Sequence, residues 1–81
     1  MDKLTGQVAI ITGGGVGIGF AIAEVLAEAD IAGIVLADVE NAESAAADIS
    51  ERFATDAVGI TTDVADSTQV EAMVEETIRK F

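Results

Sequence analysis

An α/β fold built on a parallel sheet is predicted by three features of the sequence. Short apolar runs alternate with segments whose apolar residues recur at helical spacing. A glycine-rich turn joins the first run to the first helical segment, and each later run closes on an aspartate. The order is β-α-β-α-β-α, and strands that alternate with helices imply right-handed crossovers and a parallel sheet.

The elements follow in order. Val8-Ala9-Ile10-Ile11 is a short apolar run ending at Thr12, and it reads as a strand buried on both faces. Gly13 to Gly19 forms the turn. Phe20 to Ala29 reads as a helix of Ala, Glu, Leu and Ile, with Phe20, Ala23, Leu26 and Ala27 near one face. Ile34-Val35-Leu36-Ala37 is a second buried strand that stops at Asp38. Asn41 is the expected N-cap of a second helix, whose buried stripe is Ala42, Ala45, Ala46, Ile49 and Phe53. Val58 to Thr62 is a third strand, followed by Asp63-Val64. Asp66 or Ser67 caps a third helix, and Asp66 with Gln69 fits a capping box. In that helix Val70, Met73, Val74, Thr77, Ile78 and Phe81 form an amphipathic stripe. The expected strand order is 3-2-1, the front part of a doubly wound, Rossmann-like domain. Residues 1–81 are thus read as one partial domain. Its first strand would be an unpaired apolar edge, and its third helix would cross alone to the opposite sheet face.

Composition narrows the function. Fifteen acidic and four basic residues give a net charge of −11 over 81 residues. That balance argues against nucleic acid and anionic membranes, both of which need basic patches. Cysteine, histidine, tyrosine and tryptophan are all absent, which excludes disulfides and thiol chemistry. The apolar runs are too short to span a bilayer, and Met1-Asp2-Lys3-Leu4 has no signal-peptide pattern. The expected home is the cytosol. No calcium-loop spacing is present, and no metal site is expected.

The chemistry-bearing run is Thr12-Gly13-Gly14-Gly15-Val16-Gly17-Ile18-Gly19, placed between a strand and a helix as a dinucleotide site requires. Gly13 permits the tight turn, Gly17 lets the backbone approach a pyrophosphate, and Gly19 lets helix and strand pack closely. The helix N-terminus adds free N–H groups and a partial positive charge. Asp38 lies 19 residues beyond Gly19. A carboxylate there accepts hydrogen bonds from ribose hydroxyls and repels a 2′-phosphate. No Arg or Lys lies between Lys3 and Arg52, so nothing in the turn or just after the second strand neutralises a 2′-phosphate. The expected cofactor is NAD rather than NADP.

These residues resemble the short-chain dehydrogenase/reductase family. Thr12-Gly13 with Gly17-Ile18-Gly19 matches its Thr-Gly-x-x-x-Gly-x-Gly motif, and Gly6 to Ile11 is similar to its opening strand. Asp63-Val64 is similar to the pair that brackets adenine. The resemblance extends over the whole chain but corresponds to the front third of a family member. It implies that Gly13, Gly15, Val16 and Ile18 line the pyrophosphate and the path to nicotinamide, while Gly17 and Gly19 shape the turn. It implies that Asp38 and Val39 flank the ribose and that Asp63 and Val64 flank the adenine. Many NADP-using members carry a basic residue at the Val16 position. The family reaction is hydride transfer between a nicotinamide cofactor and a secondary alcohol or carbonyl. Its Tyr acid/base, the Lys four residues on, its Ser and its Asn-Asn-Ala-Gly segment find no counterparts here, so no catalytic residue is assigned.

Two other functions are open to this sequence. One is a non-catalytic, truncated piece that binds NAD weakly or self-associates through its unpaired first strand or exposed sheet face. The other is a methyltransferase, which also pairs a glycine turn with an acid after strand two. The Thr-Gly start, the glycine spacing and Asp63-Val64 count against it.

Overall fold

The computed structural model describes residues 3–81; the reading of Met1 and Asp2 lies outside them. The element order is β1 (Val8–Thr12), α1 (Gly17–Glu28), β2 (Gly33–Asp38), α2 (Ala42–Arg52), β3 (Asp56–Thr61) and α3 (Ser67–Lys80). Both strand pairings are parallel, and β2 lies between β1 and β3. Ile10 stands beside Val35, and Val35 beside Val58, so the sheet's two faces follow directly from the register.

One face carries Ile11, Ile34 and Leu36 beneath α1 and α2. Both helices meet it through small residues, Ala23 and Ala27 from α1 and Ala45 and Ala46 from α2, with Ile49 filling the space between. Alanine lets a helix axis approach a sheet closely. At Gly59 the approach is closer still, because the Ala42 carbonyl occupies the place a Cβ would take.

The other face carries Val35 and Ala37, covered by Met73 and Val70 of α3. The third helix therefore crosses to the opposite side of the sheet, as expected. Its coverage is partial: Val8 and Ile10 stay about 40% exposed. This corrects the expectation that β1 is buried on both faces. A strand with one neighbour and an uncovered face shields only its inward residue, and in β1 that is Ile11. The α3 stripe is corrected in the same way. Met73 and Thr77 are buried, whereas Val74, Ile78 and Phe81 are exposed.

Capping sets the helix boundaries. Asp66 Oδ1 accepts from the Thr68 and Gln69 amides at 3.0 and 3.3 Å, which satisfies two orphan donors of α3. Gln69 completes a variant of the expected box. Its Nε2 donates to Asp66 Oδ2, and its Oε1 accepts from the Asp63 amide rather than the Asp66 amide. Asn41 does stand at the start of α2, but it is left-handed (φ 63°) and its side chain makes no capping bond. Asn tolerates that conformation better than most residues. Here it redirects the chain out of β2 instead of capping the helix.

Candidate functional site

Three loops meet at the carboxyl end of the strands. The Gly13 amide donates to the Ala37 carbonyl at 2.8 Å, and the Thr62 amide donates to the Asp38 carbonyl at 2.8 Å. Those two bonds place the glycine turn, Asp38 and the Asp63-Val64 pair side by side. In open parallel sheets this end is where ligands bind.

The turn itself is shaped by backbone requirements. Gly13 and Gly17 have φ of 67° and 62°, a region costly for side chains. Gly19 sits against Gly13, whose carbonyl oxygen lies where a Cβ would be. The helix thus starts inside the motif at Gly17, three residues earlier than its composition alone predicts. Gly17 has open space around it and is required by its backbone angle, while Gly19 is required by contact.

The start of α1 has no side-chain cap and no acidic residue in its first turn. Its amides and the positive end of its dipole are therefore directed at solvent, the arrangement that receives phosphate. Val16 and Ile18 flank it, 61% and 82% exposed.

Asp38 is the charged residue tied into the turn. Its Oδ2 accepts from the Gly15 amide at 2.9 Å, and its Oδ1 accepts from the Val39 amide at 2.7 Å. A Cβ on Gly15 would stand 2.6 Å from the Glu40 carbonyl oxygen and 2.9 Å from Asp38 Oδ2, so glycine is needed there for contact. The Gly15 amide is consequently directed at the carboxylate, and the donors aimed at solvent are those of α1. Each Asp38 oxygen keeps acceptor capacity beyond its one bond.

Asp63 forms a local turn, its Oδ1 accepting from the Ala65 amide at 2.9 Å. Val39 and Val64 are both more than half exposed. With Val16 they place apolar surface beside the three loops.

A cleft of about 470 Å³ opens between the turn and α2, lined by Gly15, Val16, Gly17, Phe20, Asn41, Ser44, Ala45 and Asp48. The α2 side of this cleft was not found from sequence. A smaller cavity of about 180 Å³ lies at the opposite end of the strands, lined by Thr5, Gly6, Asp30, Ile31, Ala32, Ala54 and Thr55. No group of three or more His, Cys, Asp or Glu among the described residues is placed to hold a metal ion. No helix among them is long and apolar enough to cross a membrane.

The comparisons agree with this geometry. The family model for short chain dehydrogenases matches residues 7–81. An oxidoreductase of Thermotoga maritima is 38% identical over 96% of this chain and 30% of its own length. The peroxisomal 2,4-dienoyl-CoA reductase of Danio rerio is 37% identical over 99% of this chain and 27% of its own. Among solved structures, L-sorbose reductase from Gluconobacter frateurii, complexed with NADPH and L-sorbose, superposes with a TM-score of 0.89 at 39% identity. That match covers 100% of this chain and 32% of the reductase. The chain thus spans less than a third of the length of each of these relatives. With the glycine turn, the parallel sheet and the family match all coinciding, the chain belongs to the short-chain dehydrogenase family.

Proposed function

We propose that this chain holds the adenosine and pyrophosphate part of NAD for an oxidoreductase that moves hydride between the nicotinamide and a secondary alcohol or carbonyl. The observation that carries the proposal is Asp38, anchored by the Gly15 and Val39 amides at the mouth of the glycine turn. A carboxylate fixed there accepts from the two hydroxyls of an unmodified ribose and opposes a 2′-phosphate. The amides at the start of α1 receive the pyrophosphate, with Gly13, Gly15, Val16 and Ile18 beside it and Gly17 and Gly19 holding the turn's shape. Val39 packs on the ribose, and Asp63 and Val64 flank the adenine. Proton transfer to the carbonyl oxygen needs a positioned acid/base, and none of these residues supplies one.

NADPH is the second reading, favoured by the sorbose reductase structure, which contains it. Titration calorimetry with NAD, NADP and S-adenosylmethionine separates the cases. NAD is expected to bind more tightly than NADP, and Asp38→Ala is expected to weaken NAD by about tenfold or more, the loss of charge-assisted hydrogen bonds. Tighter binding of NADP, or no effect of the substitution, overturns the role given to Asp38. Self-association is a companion property of the isolated chain, supported by the free edge of β1 and the exposure of Val8 and Ile10.

A further inference from the structure

The cation that the sequence places far from the turn shares two neighbours with the cleft beside that turn. Arg52 ends α2, and its guanidinium folds back along the helix to Asp48. Its Nε and Nη2 donate to the two carboxylate oxygens of Asp48 at 3.2 and 3.1 Å, and Nη2 also donates to Glu24 of α1 at 2.6 Å. The guanidinium carbon lies 5.9 Å from the centre of the Phe20 ring and 5.1 Å from that of Phe53. Glu24 first, and Asp48 after it, raise the Arg52 pKa above its ordinary value.

Asp48 and Phe20, two of these partners, line the cleft beside Gly15, Val16 and Gly17. Arg52 is therefore held against two residues of the cleft wall, and the charge that lines the cleft there is the negative one of Asp48. A 2′-phosphate entering the cleft would meet that carboxylate, and it would have to displace two carboxylates to recruit the guanidinium.

We infer that Asp48 is a specificity determinant against a 2′-phosphorylated cofactor, acting by repulsion in the cleft and by keeping Arg52 from turning toward it. The inference rests on the assignment of this cleft to a dinucleotide and adds a second residue, on a different element, to the discrimination given to Asp38. Arginine suits the latent role, because its planar fork matches phosphate in two-point contact and stacks on aromatic rings. An exposed ion pair holds its partner only weakly in isolation. Two carboxylates and two rings acting together keep this guanidinium in one place.

The test is calorimetric titration of the 81-residue chain with NAD and with NADP, in the wild type, in Asp48→Asn, in Glu24→Gln and in Asp48→Asn combined with Arg52→Gln. Circular dichroism of each variant reports its fold. Asp48→Asn is expected to raise the ratio of NADP to NAD affinity by about tenfold, because a charge-assisted hydrogen bond to the phosphate can form and a repulsion is removed. Glu24→Gln is expected to raise it less, because Asp48 still faces the cleft. Adding Arg52→Gln to Asp48→Asn is expected to remove the part of that increase that comes from recruiting the guanidinium and to leave the part that comes from the lost repulsion. A ratio within twofold of wild type in Asp48→Asn overturns the inference, and an increase left wholly unchanged by the loss of Arg52 overturns the part given to Arg52. A wild-type preference for NADP overturns the role of Asp38 instead and leaves the Asp48 comparison intact. Binding of neither dinucleotide brings down both.

Discussion

The two faces of the sheet are built from similar residues and finished to different degrees. Beneath α1 and α2, Ile34, Leu36 and Ile49 are fully buried and four alanines bring the helices close. On the α3 side the buried apolar cluster is only Val35, Ala37 and Met73 among the described residues, while Val8 and Ile10 face solvent. The apolar content of the strands does not make this difference, since β1 is as apolar as β2. Helix number makes it: two helices seal a three-stranded sheet on one side, and one helix cannot seal the other. The site belongs to the sealed side. Its turn leads into α1 and its cleft wall is α2, so the turn proposed to receive the pyrophosphate is mounted on the better packed half.

The largest effect is expected from opening the sealed face. Ile49→Ala removes a fully buried side chain from between the alanines and should cost about 3 kcal/mol, read from urea unfolding followed by circular dichroism. A chain of this size has little stability in reserve, so this variant should also lose dinucleotide binding. Met73→Ala probes the other face. There α3 has room to settle and solvent is already close, so a smaller loss of about 2 kcal/mol is expected. Equal losses at the two positions would remove the distinction between the faces.

The next effect tests how α3 is held to the less complete face. Asp66→Ala deletes the acceptor for the Thr68 and Gln69 amides and should cost about 1 kcal/mol. The loss should fall on α3, with a smaller effect on nucleotide binding through Gln69, which joins Asp66 to the Asp63 amide. Hydrogen exchange of the α3 amides, faster in this variant while those of α1 are unchanged, would separate the two layers directly.

Most of this architecture was legible in the sequence because it is local. The runs Val8–Ile11 and Ile34–Ala37 are short, apolar and bounded by turn residues, and the α2 stripe is spaced for one face. The glycine motif announced its place because a strand-to-helix turn with left-handed residues has few other solutions, and Gly13 and Gly17 both take that conformation. What was not legible depends on pairs distant in sequence. The bond from the Gly15 amide to Asp38 spans 23 residues and that from Arg52 to Glu24 spans 28. Nothing in the sequence paired Arg52 with α1, and only the packing of α2 against α1 brings it to Glu24 and Phe20. Asn41 failed as a cap for a related reason, since the close approach of Gly15 to Glu40 and Asn41 dictates the backbone there. Composition could not reveal the exposure of Val8 and Ile10, because an apolar strand looks the same whether or not something covers it.

The smallest stability effect should come from the least covered position of the α3 stripe, and it carries information for that reason. Ile78 lies on the α3 stripe by spacing but is 72% exposed. Ile78→Ser should therefore change unfolding free energy by less than about 0.5 kcal/mol, as surface substitutions generally do. If the apolar residues left open on this side draw chains together, the same substitution should shift the chain toward monomer in size-exclusion chromatography at fixed concentration. A loss comparable to that of Met73→Ala would mean that α3 packs with its whole stripe inward, and the two faces would then be more alike than their burial indicates. An unchanged elution position would confine any self-association to the free edge of β1. In that case Ile10→Lys becomes the sharper probe, because a charge beside an unpaired strand opposes edge-to-edge pairing while its neighbour Ile11 keeps the sealed face intact.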